Sequence, residues 1–180
     1  MHIVINIIAF KIGWVSTILG AANDMPWLGP AVVAVAIAIH LFNAIYPGDE
    51  FLLILSAGFI GAIWDSVMVA AGWLTYPTGT IIAGAAPYWI IGMWMLFATT
   101  LNLTFRWLRG KLLIAALLGA VFGPLSYYIG AQLGAVIIND FTATMTALGI
   151  AWAAIMPGLM LLAPRLDGFH ASNRAAAKLS

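Results

Sequence analysis

The sequence predicts an all-α integral membrane bundle of about six transmembrane helices. Three observations carry that prediction. Of 180 residues, 64% are hydrophobic and only 7% charged, whereas soluble domains carry about 25% charged residues. Mean hydropathy is +1.06, which implies more apolar surface than a soluble fold of this size could hide. The apolar residues come in long runs broken by turn or charge signals, unlike the ~10-residue alternating segments of a membrane β-barrel. At ~20 residues per crossing of a ~30 Å hydrocarbon core, the length accommodates six spans with short loops and no separate extramembrane domain.

The first span is predicted at Ile3 to Ala22 and is closed by Asn23-Asp24-Met25-Pro26. Its start, MHIVINIIAFK, has no basic leader and no small-residue cleavage site, so it reads as a retained helix, not a signal peptide. The second, Trp27 to Tyr46, runs into Pro47-Gly48-Asp49-Glu50, where the paired acids read as the start of the next helix. The third, Phe51 to Trp73, ends before Tyr76-Pro77-Thr78-Gly79, a turn signature. The fourth, Ala86 to Phe105, meets the basic stretch Arg106 to Lys111. The fifth, Leu112 to Ala135, carries Gly119-x-x-x-Gly123, Pro124 and Gly130-x-x-x-Gly134, small residues at the spacing that lets helix backbones approach closely. The sixth, Phe141 to Ala163, contains Pro157 and ends at Pro164-Arg165; each internal proline frees a carbonyl and can kink its helix. Residues 1–164 thus form one transmembrane domain and 165–180 a short cytoplasmic tail.

Arg106, Arg109 and Lys111 lie between spans four and five, and Arg165, Arg174 and Lys178 follow span six. The positive-inside rule then puts both termini in the cytoplasm of a bacterial inner-membrane protein, with the Asn23, Pro77 and Asn139 loops outside. Trp27, Trp73, Tyr76, Tyr88 and Trp107 fall near the predicted interfaces and read as belt aromatics. A net charge of +1 gives no field for nucleic acid. The absence of cysteine removes thiolate chemistry. No nucleophile elbow, phosphate loop or paired carboxylates at helical spacing appear within a span, so no catalytic residue and no cofactor is assigned. His40 is the single intramembrane histidine, too few ligands for a metal centre.

Charged groups at bilayer depth are functional candidates by default, and two lie deep: Lys11 and Asp65. Their depths differ by ~9 Å, close enough for an ion pair if spans one and three are neighbours. A short carboxylate in the outer half cannot snorkel to water and needs donors. At its level the sequence offers Ser16 and Thr17 on span one, neighbouring Ser66, Trp94 on span four, and Ser126, Tyr127 and Tyr128 on span five. Together with Asp65 these form the predicted ligand-binding layer. A second polar layer of Asn6, His40, Asn43, Ser56, Thr99, Thr100 and Asn102 is predicted nearer the cytoplasm, where interhelical hydrogen bonds explain it.

A series of ordered motifs runs through the chain: Gly13-Trp14, Met25-Pro26-Trp27-Leu28-Gly29-Pro30, Trp64-Asp65-Ser66, Ala86-Pro87-Tyr88-Trp89, Trp94 to Asn102, Arg106-Trp107-Leu108 and Gly123-Pro124-Leu125-Ser126-Tyr127. Together they resemble a family of uncharacterised proteobacterial six-helix inner-membrane proteins, a domain of unknown function, over nearly the whole length. The resemblance implies location and architecture rather than a reaction. Through the neighbours of such proteins it also implies membrane-lipid modification or an envelope stress response.

Two functions are therefore expected. The first is a non-catalytic module that binds membrane lipid or another apolar ligand, or scaffolds lipid-modifying proteins. It predicts a lateral groove lined by Trp and Met, with Asp65 closed off from bulk water. The alternative is a small transporter or substrate-binding subunit resembling the substrate components of energy-coupling-factor importers, which predicts Asp65, Tyr127 and Trp94 touching a polar ligand. An enzyme using Asp65 with Tyr127 or Tyr128 ranks below both.

Overall fold

The computed structural model describes residues 2–170 and is almost entirely helical. Helices α1 (His2–Ala22), α2 (Leu28–Phe42), α3 (Pro47–Ala70), α4 (Tyr88–Ala98), α5 (Leu112–Gln132) and α6 (Phe141–Leu162) follow in order, with 3₁₀ turns at Arg106–Leu108 and Ala163–Leu166. Two-residue strands β1 (Leu74–Thr75) and β2 (Ile137–Ile138) pair antiparallel. They tie the α3–α4 loop to the α5–α6 loop at one end of the bundle. Arg174 and Lys178, which entered the charge asymmetry, lie outside the described residues.

This is a membrane protein, since four segments are long and apolar enough to cross a bilayer: His2–Ala22, Pro47–Ala70, Leu112–Gln132 and Phe141–Leu166. The other two helices are shorter, 15 residues in α2 and 11 in α4. At ~1.5 Å per residue α4 is only about 16 Å long. The predicted fourth span ran on to Phe105, but the hydroxyls of Thr99 and Thr100 donate to the carbonyls of Leu96 and Phe97, 2.7 and 2.6 Å away. Such back-bonding competes with the helical ladder, and residues 99–105 continue as turns. They stay inside the bundle because their polar groups are partnered: Asn6 donates to the Thr99 carbonyl at 3.0 Å and accepts from Thr104 at 2.7 Å.

Glycines set the helix contacts. A Cβ at Gly29 would come 2.5 Å from the Thr17 Cα, so α1 and α2 cross backbone to backbone. Gly58 and Gly61 on α3 leave room for Met95 and Trp94 of α4. Gly119 and Gly123 on α5 face Trp152 and Met156 of α6, while Gly130 and Gly134 face Ile18 and Ala22 of α1. The two predicted small-residue pairs of α5 thus serve different partners.

The bundle divides into α1 to α4, mutually packed, and the α5–α6 pair, which packs chiefly on itself. Helices α1 and α5 run parallel, because Ile18 meets Gly130 and Ala22 meets Gly134. They touch near their C-terminal ends and splay apart towards their N-terminal halves, where a cavity opens between them. At the splayed end of the molecule the segment after Pro164, expected to leave as a tail, is bound to the bundle through residue 170.

Candidate functional site

Asp65 lies one helical turn beyond Gly61 on α3, so both occupy the same face. The bare backbone at Gly61 lets the Trp94 indole lie against α3, where a Cβ would fall 2.1 Å from its ring. From that position Trp94 Nε1 donates to Asp65 Oδ2 at 2.7 Å. Helix α5 repeats the device. Gly123 accommodates Trp152, whose Cγ would lie 2.3 Å from an added Cβ, and one turn later the Tyr127 hydroxyl is shared between Asp65 Oδ1 and Oδ2, at 2.9 and 3.1 Å. Trp94 and Trp152 stack with centroids 4.6 Å apart and planes 12° from parallel. Gly61, Trp94, Trp152 and Gly123 therefore form one layer through the bundle.

A third donor comes from the loop after β1. The Tyr76 hydroxyl donates to Asp65 Oδ1 at 2.5 Å, and its ring sits edge-on to Trp89. Burial first, then neighbouring Asp65 and Tyr127, push the Tyr76 hydroxyl well above the ordinary tyrosine value, so it serves as a neutral donor. The belt role expected of Tyr76 is corrected: the side chain turns inward because β1 and the bond from Ala86 N–H to Ser66 Oγ (2.9 Å) fold its loop over the end of α3. Asp65 is 0% exposed, its oxygens enclosed by three uncharged donors.

Trp94 and Tyr127 also line, on their other side, the cavity between α1 and α5. It holds about 550 Å³. Its wall is almost wholly apolar: Phe10 and Trp14 from α1, Met93 and Phe97 from α4, Leu118 and Phe122 from α5, and Trp152 and Met156 from α6, with Phe105 and Trp107 at one end. Phe122 is 58% and Trp107 53% exposed, which places these two rings at the mouth, facing lipid. The Trp152 indole N–H is buried without a partner among the described residues.

Of the predicted layer, Asp65, Trp94 and Tyr127 come together. Ser126 lines the cavity while donating to the Gly123 carbonyl at 2.7 Å. Ser66 donates to the Ala62 carbonyl at 2.6 Å and orders the Ala86 loop. Thr17 is buried but donates within its own helix, to Gly13 at 2.7 Å, and supports α2. Ser16, half-buried on α1, joins neither Asp65 nor the cavity. Tyr128 is corrected to the outer face of α5, 40% exposed with its ring against Phe141, because adjacent helical residues point about 100° apart. The Lys11–Asp65 pair is also corrected. Lys11 lies on an exposed face of α1, whereas the oxygens of Asp65 are engaged by Tyr76, Trp94 and Tyr127.

A second buried carboxylate sits at the opposite end of α3. Glu50 does begin the helix, following Pro47 in its first turn, yet it is 0% exposed. His40 Nε2 donates to its Oε2 at 2.9 Å; Asn102 Nδ2 and the Gly168 N–H donate to Oε1 at 2.6 and 2.9 Å. Arg109 in turn bonds Asn102 Oδ1 at 2.6 Å and Asp167 Oδ2 at 2.8 Å. The Gly168 carbonyl accepts from Ile45 and Tyr46, and a Cβ at Gly168 would lie 2.5 Å from both Glu50 and the Tyr46 carbonyl. This cluster joins α2, α3, the turns after α4 and the segment after α6. Its carboxylate is closed off, His40 borders a cleft of about 20 Å³, and the cluster's bonds tie chain segments together.

Residues 3–158 match the model of a family described as "Protein of unknown function (DUF2878)". No curated protein and no solved structure matches the chain.

Proposed function

The chain belongs to this family of unknown function, and from the site itself we propose that it is a non-catalytic membrane module that binds an apolar, lipid-like ligand between α1 and α5. The observation that carries the reading is the cavity of about 550 Å³, walled by Trp14, Trp94, Trp107, Trp152, Met93 and Met156, with Asp65 sealed behind Trp94 and Tyr127. Ligand pockets span ~300–1,000 Å³ and are mostly apolar with few oriented polar groups. Aromatic faces and flexible thioethers suit a conformationally variable chain.

An acid–base catalyst must bring its proton-transfer group within hydrogen-bond reach of the reacting atom, and the Asp65 oxygens face tyrosine and tryptophan donors instead. The transporter alternative needs the same carboxylate to meet a polar ligand and gains less support for the same reason. In the proposed reading Arg106, Arg109, Lys111 and Arg165, gathered at one end of the bundle, mark the cytoplasmic side of a bacterial inner membrane. Both termini then lie on that side, and the partners are membrane lipids and the proteins that modify them.

Native mass spectrometry of gently purified protein, with extraction of what it carries, tests the reading. Wild type is expected to retain an apolar molecule through detergent exchange, and Leu118→Trp, which fills the cavity, is expected to lose it. A wild-type protein that retains nothing, or a filled variant that retains the same molecule equally well, would overturn it.

A further inference from the structure

The mouth of the cavity carries a charge whose sign narrows the ligand. Lys11 and Ile18 are seven residues apart on α1 and so lie within about 20° of one azimuth. Ile18 is buried against Gly130 of α5. Lys11, two turns nearer the splayed end, is exposed, and among the described residues it has no ion pair. Its neighbour Phe10 lines the cavity. Lys11 is not itself one of the residues that line the cavity, but on that azimuth its stem points to the side from which α5 has splayed away, beside the mouth and about 14 Å along α1 from His2. A second cation marks the lower rim, where Lys111 Nζ lies 5.4 Å from the centre of the Trp107 ring, itself part of the cavity wall. Of the carboxylates in the described part of this end, Glu50 and Asp167 are buried and engaged by His40, Asn102 and Arg109, while Asp49, half-buried in the first turn of α3, has a partner of its own.

A lysine at this depth is unfavourable without a counter-charge or access to the interface. An apolar cavity bordered by a cation with no ion-pair partner among the described residues matches an amphiphile of the opposite polarity. Resting on the reading that the cavity takes a lipid-like ligand, we infer that this ligand is an acyl chain bearing an anionic head, the chain lying against Trp94 and Trp152 and the head held by Lys11 at the mouth. An anionic phospholipid and a free fatty acid share this chemistry.

Tryptophan quenching by brominated lipid separates the possibilities, because four cavity-lining tryptophans report a bromine in the cavity. The protein is reconstituted in phosphatidylcholine vesicles containing a low fraction of brominated phosphatidylglycerol, brominated oleate or, as reference, brominated phosphatidylcholine. The inference predicts quenching above the reference for at least one anionic probe. Preference for phosphatidylglycerol identifies a phospholipid, and preference for oleate a fatty acid. Lys11→Gln should weaken that preference about fivefold, the effect of one basic residue at a membrane surface, and Lys11→Arg should keep it. If all three probes quench alike and only Leu118→Trp reduces the effect, the cavity takes neutral lipid; the charge assignment falls while the binding function stands. If no probe exceeds bulk quenching and Leu118→Trp changes nothing, both fall.

Discussion

Glu50 and Asp65 lie fifteen residues apart on α3, about 22 Å along its axis, and both are completely buried, yet they are held by different means. Glu50 gathers a histidine, an amide and a backbone N–H from three separate segments, with Arg109 one bond further out. Asp65 gathers two tyrosines and a tryptophan, all uncharged. The first set fastens chain segments together at the charged end. The second set aligns the side chains that form the cavity wall, since Trp94 and Tyr127 take part in both. A buried carboxylate in this bundle is therefore a clamp at one end and a template at the other.

The largest expected effect breaks the clamp. Glu50→Leu removes both acceptor oxygens and leaves the three groups that face them against an apolar side chain. Asn102 cannot relieve this by flipping, because its Oδ1 already accepts from Arg109. Removing one partner of a buried charged network costs on the order of 3 kcal/mol, read as a shift in unfolding midpoint in detergent titrated with denaturant. A shift within ~0.5 kcal/mol of wild type would mean that the cluster is solvated and that the strap from residue 163 to 170 does not depend on it.

Asp65→Asn sharpens the contrast. Here two of the three partners are hydroxyls, which can turn and accept as well as donate, so the new amide can be accommodated. A loss of about 1–2 kcal/mol is expected, smaller than at Glu50, with the lipid-retention signal preserved because Asn still accepts from Trp94. An equal or larger loss at Asp65 would erase the distinction between clamp and template.

The sequence made one of these carboxylates visible and hid the other, for a physical reason. Asp65 lies in the interior of a long apolar run, where any charge stands out, and Trp94 and Tyr127 were found by depth alone. Glu50 follows Pro47 in a turn signal, where an acid has an ordinary role as helix starter. Its burial depends on Gly168, which is distant in sequence. A signal did exist: Glu50, Leu53, Ile54, Ala57, Gly58, Gly61, Asp65 and Met68 form one buried stripe at helical spacing, so the small-residue face reaches both acids. Similarly, Gly61 stands four residues before Asp65 as Gly123 stands four before Tyr127, but only the packed tryptophans show why. Tyr76 was misplaced because local sequence marks a turn without saying that it folds inward. The boundaries of α4 failed where Thr99 and Thr100 bond back to their own helix, a competition that hydropathy does not register.

The smallest expected effect lies at the rim of the clamp and concerns pH. Burial pushes the Asp167 carboxyl up, but hydrogen bonds from Arg109, the Phe169 N–H and His170, with the charge of Arg109, outweigh it and hold it below its unshifted 3.8. A carboxyl lowered on folding contributes stability that is fully present above the unfolded value and is lost as pH falls through the folded one. The strap should therefore hold unchanged from neutrality to about pH 4 and loosen below it. Arg109 keeps its bond to Asn102 when Asp167 takes up a proton, so only the outer bonds of the strap are lost and the effect stays below those at Glu50 and Asp65. Hydrogen exchange of the backbone around Gly168 measures it: protection should fall below pH 4 in wild type after correction for intrinsic rates, and Asp167→Asn should show that lowered protection at every pH. If Asp167→Asn keeps the wild-type acid dependence, the titrating group is another carboxyl.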